Sequence, residues 1–174
     1  MATFIDRMVG AAKLDVRTYE EVEADPTAMS EAMAVVLLSS AAAGIGESAG
    51  FLGLLIAAGL ALVGWFVWAF LTYFIGTKLL PEAQTRADLG QMLRTIGFAS
   101  SPGVLRVAGL IPVVGWVIVP IANIWMLVAM VVAVRQALDY TSTLRAVGVC
   151  VVGWLVPVAL ALFGGIISAA ILSL

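Results

Sequence analysis

A chain of 174 residues has the length of one domain, but 63% of it is hydrophobic, only 11% is charged and its mean hydropathy is +1.11. That composition excludes a soluble domain, which runs at about half apolar and about a quarter charged and could not cover its surface with so few charges. The net charge of −2, with no histidine and one cysteine, Cys150, excludes a His-based zinc site, a Ser-His pair, a thiolate cluster and an internal disulfide.

The first residues, "MATFIDRMVGAAKLDVRTYEEVEADP", hold acids and no continuous apolar stretch, so they read as neither a cleaved secretory signal nor a transit peptide, and the N-terminus is expected in the cytosol. Up to about residue 18, Phe4, Ile5, Met8, Val9 and Ala12 recur at helical spacing opposite Asp6, Arg7, Lys13 and Arg17. This suits a short helix lying on the membrane or one packed on the rest of the protein. Acid concentrates in "RTYEEVEADPT", and the first 31 residues carry seven acids against three bases. Such a segment is either a solvated linker or a surface for a basic protein, and it disfavours polybasic lipid binding.

Asp25-Pro26 supplies an N-cap followed by the residue preferred at the first helical position, which starts a first spanning helix over about 26–46. A tight break containing Glu47 leads to a second over about 51–76, and "TKLLPEAQTRADLGQMLR" is the clear polar loop. The apolar runs at 48–77, 107–134 and 146–174 each exceed the roughly 20 residues that span a bilayer core. Pro112, Gly115 and Pro120 divide the middle run, giving a third helix over about 93–112 and a fourth over 116–138. "DYTSTLR" then leads to a fifth over 143–172.

The pattern specifies an all-α polytopic membrane protein with a short N-terminal segment, residues 1–25, and five spans, the C-terminus lying outside. Eight basic residues then fall in cytosolic segments and Arg106 alone on the outer side. A four-span alternative, with 95–106 interfacial, gives seven against two. Within the third span Ser100, Ser101 and Pro102 mark a kink whose freed backbone groups the hydroxyls can meet. Arg106 is costly at that depth, by about 2.5 kcal/mol or more at mid-membrane. It either pairs with Glu47, the one outer acid, or snorkels to the headgroups.

Arg135 and Asp139 stand one turn apart, at an exposed ion-pair spacing that ends the fourth helix. Small residues form ridges at Ala161, Gly165, Ala169 and Ser173, at Gly53, Ala57 and Ala61, and at Ala42, Gly46 and Gly50. These serve packing within the chain or a homo-oligomer. Trp65, Trp68, Trp125 and Trp154 read as packing residues, while Trp116 and Tyr73 fall near membrane boundaries.

Phosphate-loop and dinucleotide fingerprints are absent, as is an intramembrane carboxylate pair, so the chain reads as a non-enzyme without a cofactor and without nucleic acid as a partner. The remaining partners are the lipid bilayer and a protein at the cytosolic face.

Three separated blocks, "EADPTAMSEAMAVVLLSSAAAGIG", "LRTIGFASSPGVLRVAGLIPVVGWV" and "IWMLVAMVVAVRQALDYTSTLRAVGVCVVGWLV", resemble the bacterial branch of the Yip1 domain family, over about residues 15–170. The resemblance implies a small five-helix protein of the cell membrane with a cytosolic N-terminus. Gly97-Phe98 matches the family's glycine-aromatic signature, with Phe in place of the usual eukaryotic Tyr. The eukaryotic Asp-Leu-Tyr-Gly-Pro motif is missing, and "VRTYEEVEADP" with Tyr19 stands in the similar place. The Rab-GTPase binding of eukaryotic members is therefore not implied here. A membrane scaffold or adaptor is the expected function, with a small transporter, channel or lipid-moving protein built on the broken third helix as the alternative.

Overall fold

The computed structural model describes residues 2–47 and 49–172, the side chains of 157 and 160–172 excepted. Every regular element among the described residues is helical: α1 (Phe4–Ala12), α2 (Val16–Ala24), α3 (Ala28–Gly46), α4 (Gly50–Phe74), α5 (Leu89–Ala99), α6 (Pro112–Ala137) and α7 (Thr143–Leu172). A π turn, Ile75–Leu79, extends α4, and a 3₁₀ segment, Ser101–Leu110, extends α5. Three stretches, Ala28–Gly46, Gly50–Leu79 and Pro112–Ala137, are long and apolar enough to cross a membrane; the part of α7 whose side chains are described without a break, Thr143–Val156, is a shorter apolar stretch.

The N-terminal segment forms two helices where one amphipathic helix and an acidic linker were expected. Thr3 and Asp6 close a capping box at the start of α1. Leu14 takes a left-handed φ of 62° at its end, with Asp15 N–H donating to Gly10 and Leu14 N–H to Ala11, a Schellman stop. The apolar stripe is also rotated from the expected one. Arg7 and Ala11 are buried with Phe4 and Met8 packed beside them, while Ile5 and Val9 stay exposed. The acidic stretch is α2, and it buries Thr18, Tyr19 and Val22.

The segment expected as the third span departs most from an ordinary helix. Its α-helical part ends at Ala99, where Pro102 lacks the N–H that would continue the ladder, and Ser101 Oγ donates to Phe98 O at 2.7 Å. The backbone tightens there into ten residues of 3₁₀ helix. This segment runs parallel to α3 along most of its length. A Cβ on Gly97 would lie 2.7 Å from Ala32 Cβ, one on Gly103 would strike Ser39 Oγ, and one on Gly109 would lie 2.9 Å from Gly46 O. From Ala32 to Gly46, α3 rises about 21 Å. The shorter Gly97 to Gly109 stretch matches it because 3₁₀ backbone rises about 2.0 Å per residue.

Two ends of the bundle follow. At the polar end lie α1, α2, the 80–88 loop and the 138–142 turn; at the far end, Gly46, Gly109 and Gly115 bring α3, the 3₁₀ segment and α6 into backbone contact. Helix α6 begins at Pro112, not near Trp116, because Pro112 occupies the N-terminal turn that tolerates it; Pro120 is carried inside the helix. Trp65 Nε1 donates to Leu93 O and Trp125 Nε1 to Ala12 O, at 3.0 and 2.7 Å, and Trp68 Nε1 to Met130 Sδ at 3.2 Å. Trp154 is exposed and packs no core, contrary to its expected role. Among the small-residue ridges, Gly46 sits at the backbone crossing, whereas at Ala161, Gly165 and Ala169 only the backbone is described and Ser173 lies outside the described residues.

Because Gly97 meets the backbone and Cβ of Ala32, a larger side chain must force α3 and α5 apart. Gly97→Leu is expected to destabilise the purified protein by about 1–3 kcal/mol or more, read as an earlier unfolding transition in detergent. Gly59→Leu, on a stretch of α4 where a Cβ meets nothing, is the control expected to leave that transition in place.

Candidate functional site

Ser39 lies eight residues from both Glu31 and Glu47, at the middle of α3. Arg106 reaches it from the 3₁₀ segment: Nη2 donates to Ser39 O at 2.9 Å and to Ser39 Oγ at 2.8 Å, and Nε donates to Gly103 O at 3.2 Å. The guanidinium therefore turns inward to Ser39, which lies about 12 Å along α3 from Glu47. No ion pair forms between Arg106 and Glu47, and the side chain does not extend toward the far end. The reason is local. Gly103 permits close contact with Ser39, whose carbonyl and hydroxyl offer the guanidinium two acceptors.

Arg106 lines a cleft of about 750 Å³ between α3 and α4, floored by Ile96, Ser100, Met126 and Met130. Its α4 wall includes Gly53, Ile56, Ala57, Leu60, Ala61 and Trp65. The cleft exists because α4 buries only Ala69 and Thr72, near the polar end, and leaves Phe51, Leu52 and Leu60 exposed farther along. The Gly53-Ala57-Ala61 ridge thus faces this opening and is not a tight helix crossing. Glu47 lines the cleft and also a smaller cavity of about 90 Å³ with Arg106, Gly109 and Asn123.

At the polar end the organising group is Arg7, which is 5% exposed. Its Nη1 donates to Glu31 at 2.8 Å, Nη2 to Glu21 and Asp25 at 2.9 and 2.8 Å, and Nε to Glu21 at 3.1 Å. Burial opposes the charge, but hydrogen bonds to Glu31, Asp25 and Glu21 outweigh it and raise the guanidinium pKa above its ordinary value. One arginine from α1 thereby fastens α2 and the first turn of α3. Sequence reading placed Arg7 on the solvent face, yet its spacing from Phe4 and Ala11 puts it on the face that packs inward. That spacing was the available signal.

Tyr19 is fully buried and donates its hydroxyl to Ala11 O at 3.0 Å, tying α2 to the end of α1. Phe98 is fully buried in the same apolar cluster, with Val22, Ala28 and Val35. Gly97 and Pro102, also buried, shape the α3 contact described above. Arg94, absent from the residues singled out by sequence, is buried and donates Nε to Val22 O at 3.0 Å and Nη2 to Glu23 O, placing a cation at the C-terminal end of α2.

Arg135 and Asp139 do not pair. Arg135 Nε donates to Tyr140 O at 3.2 Å, and Asp139 adopts a φ of 53° as the left-handed residue of a Schellman stop, with Tyr140 N–H donating to Arg135 O and Asp139 N–H to Gln136 O. Glu82 clamps the adjoining turn: its carboxylate accepts from Thr141 N and Oγ1 at 3.0 and 2.8 Å, which holds it at a pKa of about 2. Tyr140 closes the other side, its hydroxyl donating to Gly76 O and Leu80 O at 2.9 and 2.6 Å.

Glu23 stands where α2, α5 and the 138–142 turn converge. Burial pushes its pKa up to about 7, assisted by the negative charge of Asp139 and opposed by Arg94; Glu20 and Asp88 add smaller upward contributions. No group of three metal-ligating side chains occurs among the described residues.

Removing the Arg7 charge leaves three carboxylates facing one another. Arg7→Gln is expected to cost about 1–3 kcal/mol, below the cost of breaking a fully buried pair because the carboxylates keep partial access to water. Protease nicking of the first 25 residues should accelerate with it.

Glu23 generates a pH dependence of definite sign. Its pKa is raised on folding from 4.5 to about 7, so its contribution is fully present below 4.5 and is lost as pH rises through 7. Glu23→Gln is expected to flatten the stability profile across that window.

A family model described as the Yip1 domain matches residues 17–165. No curated protein and no solved structure matches the chain.

Proposed function

The chain belongs to the Yip1 domain family, and from that premise we propose that it is a non-enzymatic membrane scaffold or adaptor of the cell membrane that holds a protein partner on its cytosolic face. Five spans, with the N-terminus in the cytosol and the C-terminus outside, are part of the proposal. The eight-to-one distribution of basic residues supports this topology. So does the side-by-side course of α3 and the α5–3₁₀ segment, since whatever α3 crosses its parallel neighbour crosses with it.

The observation that carries the scaffold reading is the Arg7 cluster. It turns the N-terminal acidic stretch into a folded surface fixed to the bundle, ready to be recognised without an ordering cost. Three of the seven acids are spent on Arg7, leaving Asp6, Asp15, Glu20 and Glu23 against Lys13 and Arg17. Homo-oligomer formation through small-residue faces is compatible with this role. The cleft at Arg106 favours a second reading, movement of a small molecule or lipid past the broken third helix.

Photo-crosslinking from position 20 in native membranes separates the two. The scaffold reading expects one protein adduct in constant proportion to the chain, weakened several-fold by Asp15→Asn, which removes an exposed charge away from the Arg7 cluster while keeping the N-cap of α2. No adduct, together with flux through reconstituted liposomes that Arg106→Ala abolishes, would replace it with the second reading.

A further inference from the structure

Three polar groups, Arg106, Ser40 and Ser100, line the α3–α4 cleft with donors to spare. Arg106 uses Nε and Nη2 on Gly103 and Ser39, and its Nη1 bonds no other described residue. Ser40 and Ser100 line the same cleft, and their hydroxyls likewise bond no described residue. No described side-chain polar atom is both buried and unsatisfied, so these donors are open to the cleft and not sealed behind it. The guanidinium has no carboxylate within ion-pair distance. Glu47 acts on this charge only from beyond ion-pair distance, and a partly desolvated cation with no carboxylate bonded to it is a site for an anion.

The way in identifies the anion. Helix α4 carries no charged residue from Gly50 to Thr77, and the cleft opens sideways along it past Ile56 and Leu60. Hydrocarbon is the medium on that side. Glu47 stands at the far end of the same cleft, where its charge opposes a small anion entering from water. A second copy of the chain docked through α4 would bring no negative charge and would close the cleft on an uncompensated guanidinium. A molecule that arrives from the bilayer and carries its own anion satisfies both ends. The volume, about 750 Å³, lies within the roughly 300–1,000 Å³ of small-ligand sites and accommodates a headgroup and the upper part of one chain.

We propose that the cleft binds an anionic phospholipid, with its phosphate against Arg106, Ser40 and Ser100 and one acyl chain along the Gly53-Ala57-Ala61 face of α4. The site goes beyond both functional readings, because a bound lipid can serve a scaffold as readily as a transporter.

Native mass spectrometry of the delipidated full-length protein, titrated separately with phosphatidylglycerol, phosphatidylcholine and inorganic phosphate, tests it. The expected result is a one-to-one phosphatidylglycerol adduct formed about tenfold more tightly than the phosphatidylcholine adduct. Arg106→Gln should abolish that preference and Arg106→Lys should keep most of it. Ala57→Trp, which fills the cleft without touching the Arg106 bonds, should abolish the adduct even if Arg106→Gln fails to fold. Equal binding of the two lipids, an unchanged adduct in folded Ala57→Trp, displacement by inorganic phosphate at comparable concentration, or a dimer that excludes the lipid would each overturn the proposal.

Discussion

Backbone-to-backbone contact between α3 and the α5–3₁₀ segment is the constraint on which the rest of the molecule depends. Gly97, Gly103 and Gly109 put that segment against Ala32, Ser39 and Gly46 at near-regular intervals. In a bilayer, where lipid is as apolar as the helices, such close approach is what holds helices together. The tighter 3₁₀ rise keeps the two elements in step and carries Arg106 to Ser39. The cleft, with a charged group in its lining, follows from that placement and from α4 standing away along much of its length.

A different device governs the polar end. Here charge does the work that glycines do in the bundle, with Arg7 drawing three carboxylates from two further elements, Arg94 ending α2, and Glu82 gripping the turn before α7. The two devices meet at α5. Its first turns hold Arg94, its last hold Gly97 and Phe98, and the glycine-aromatic pair joins the apolar cluster beneath α1 and α2 to the crossing with α3. A surface formed in this way is stiff, and its one group titrating near neutrality is Glu23 among the described carboxylates with a resolved shift.

Much of this was legible in the sequence, because long uncharged runs and small residues at spacing four reflect the bilayer directly. The break at Ser100–Pro102 was also legible, as was Arg106 as a charge set in an apolar stretch. The 3₁₀ geometry was not, since apolar periodicity in so hydrophobic a stretch does not distinguish a kinked α-helix from a tightened one. The arginine's partner was missed because charge pairing pointed to Glu47, whereas Ser39, an unremarkable residue inside an apolar helix, offers two acceptors at the right depth. Arg7 was misplaced for a related reason: seven apolar or small residues share α1 with it, and the choice of inward face turned on partners distant in sequence, Glu21, Asp25 and Glu31 for Arg7 and Tyr19 for Ala11.

The central claim is that the 3₁₀ segment completes a crossing beside α3, so that Glu47 and Leu110 emerge together on the side opposite Lys78. Single cysteines at positions 47, 78 and 110, placed one at a time in a Cys150→Ser background, measure this through labelling by a membrane-impermeant maleimide on intact cells. Labelling at 47 and 110 but not at 78 is the result the account requires; protection of 110 together with 78, while 47 labels, would contradict it.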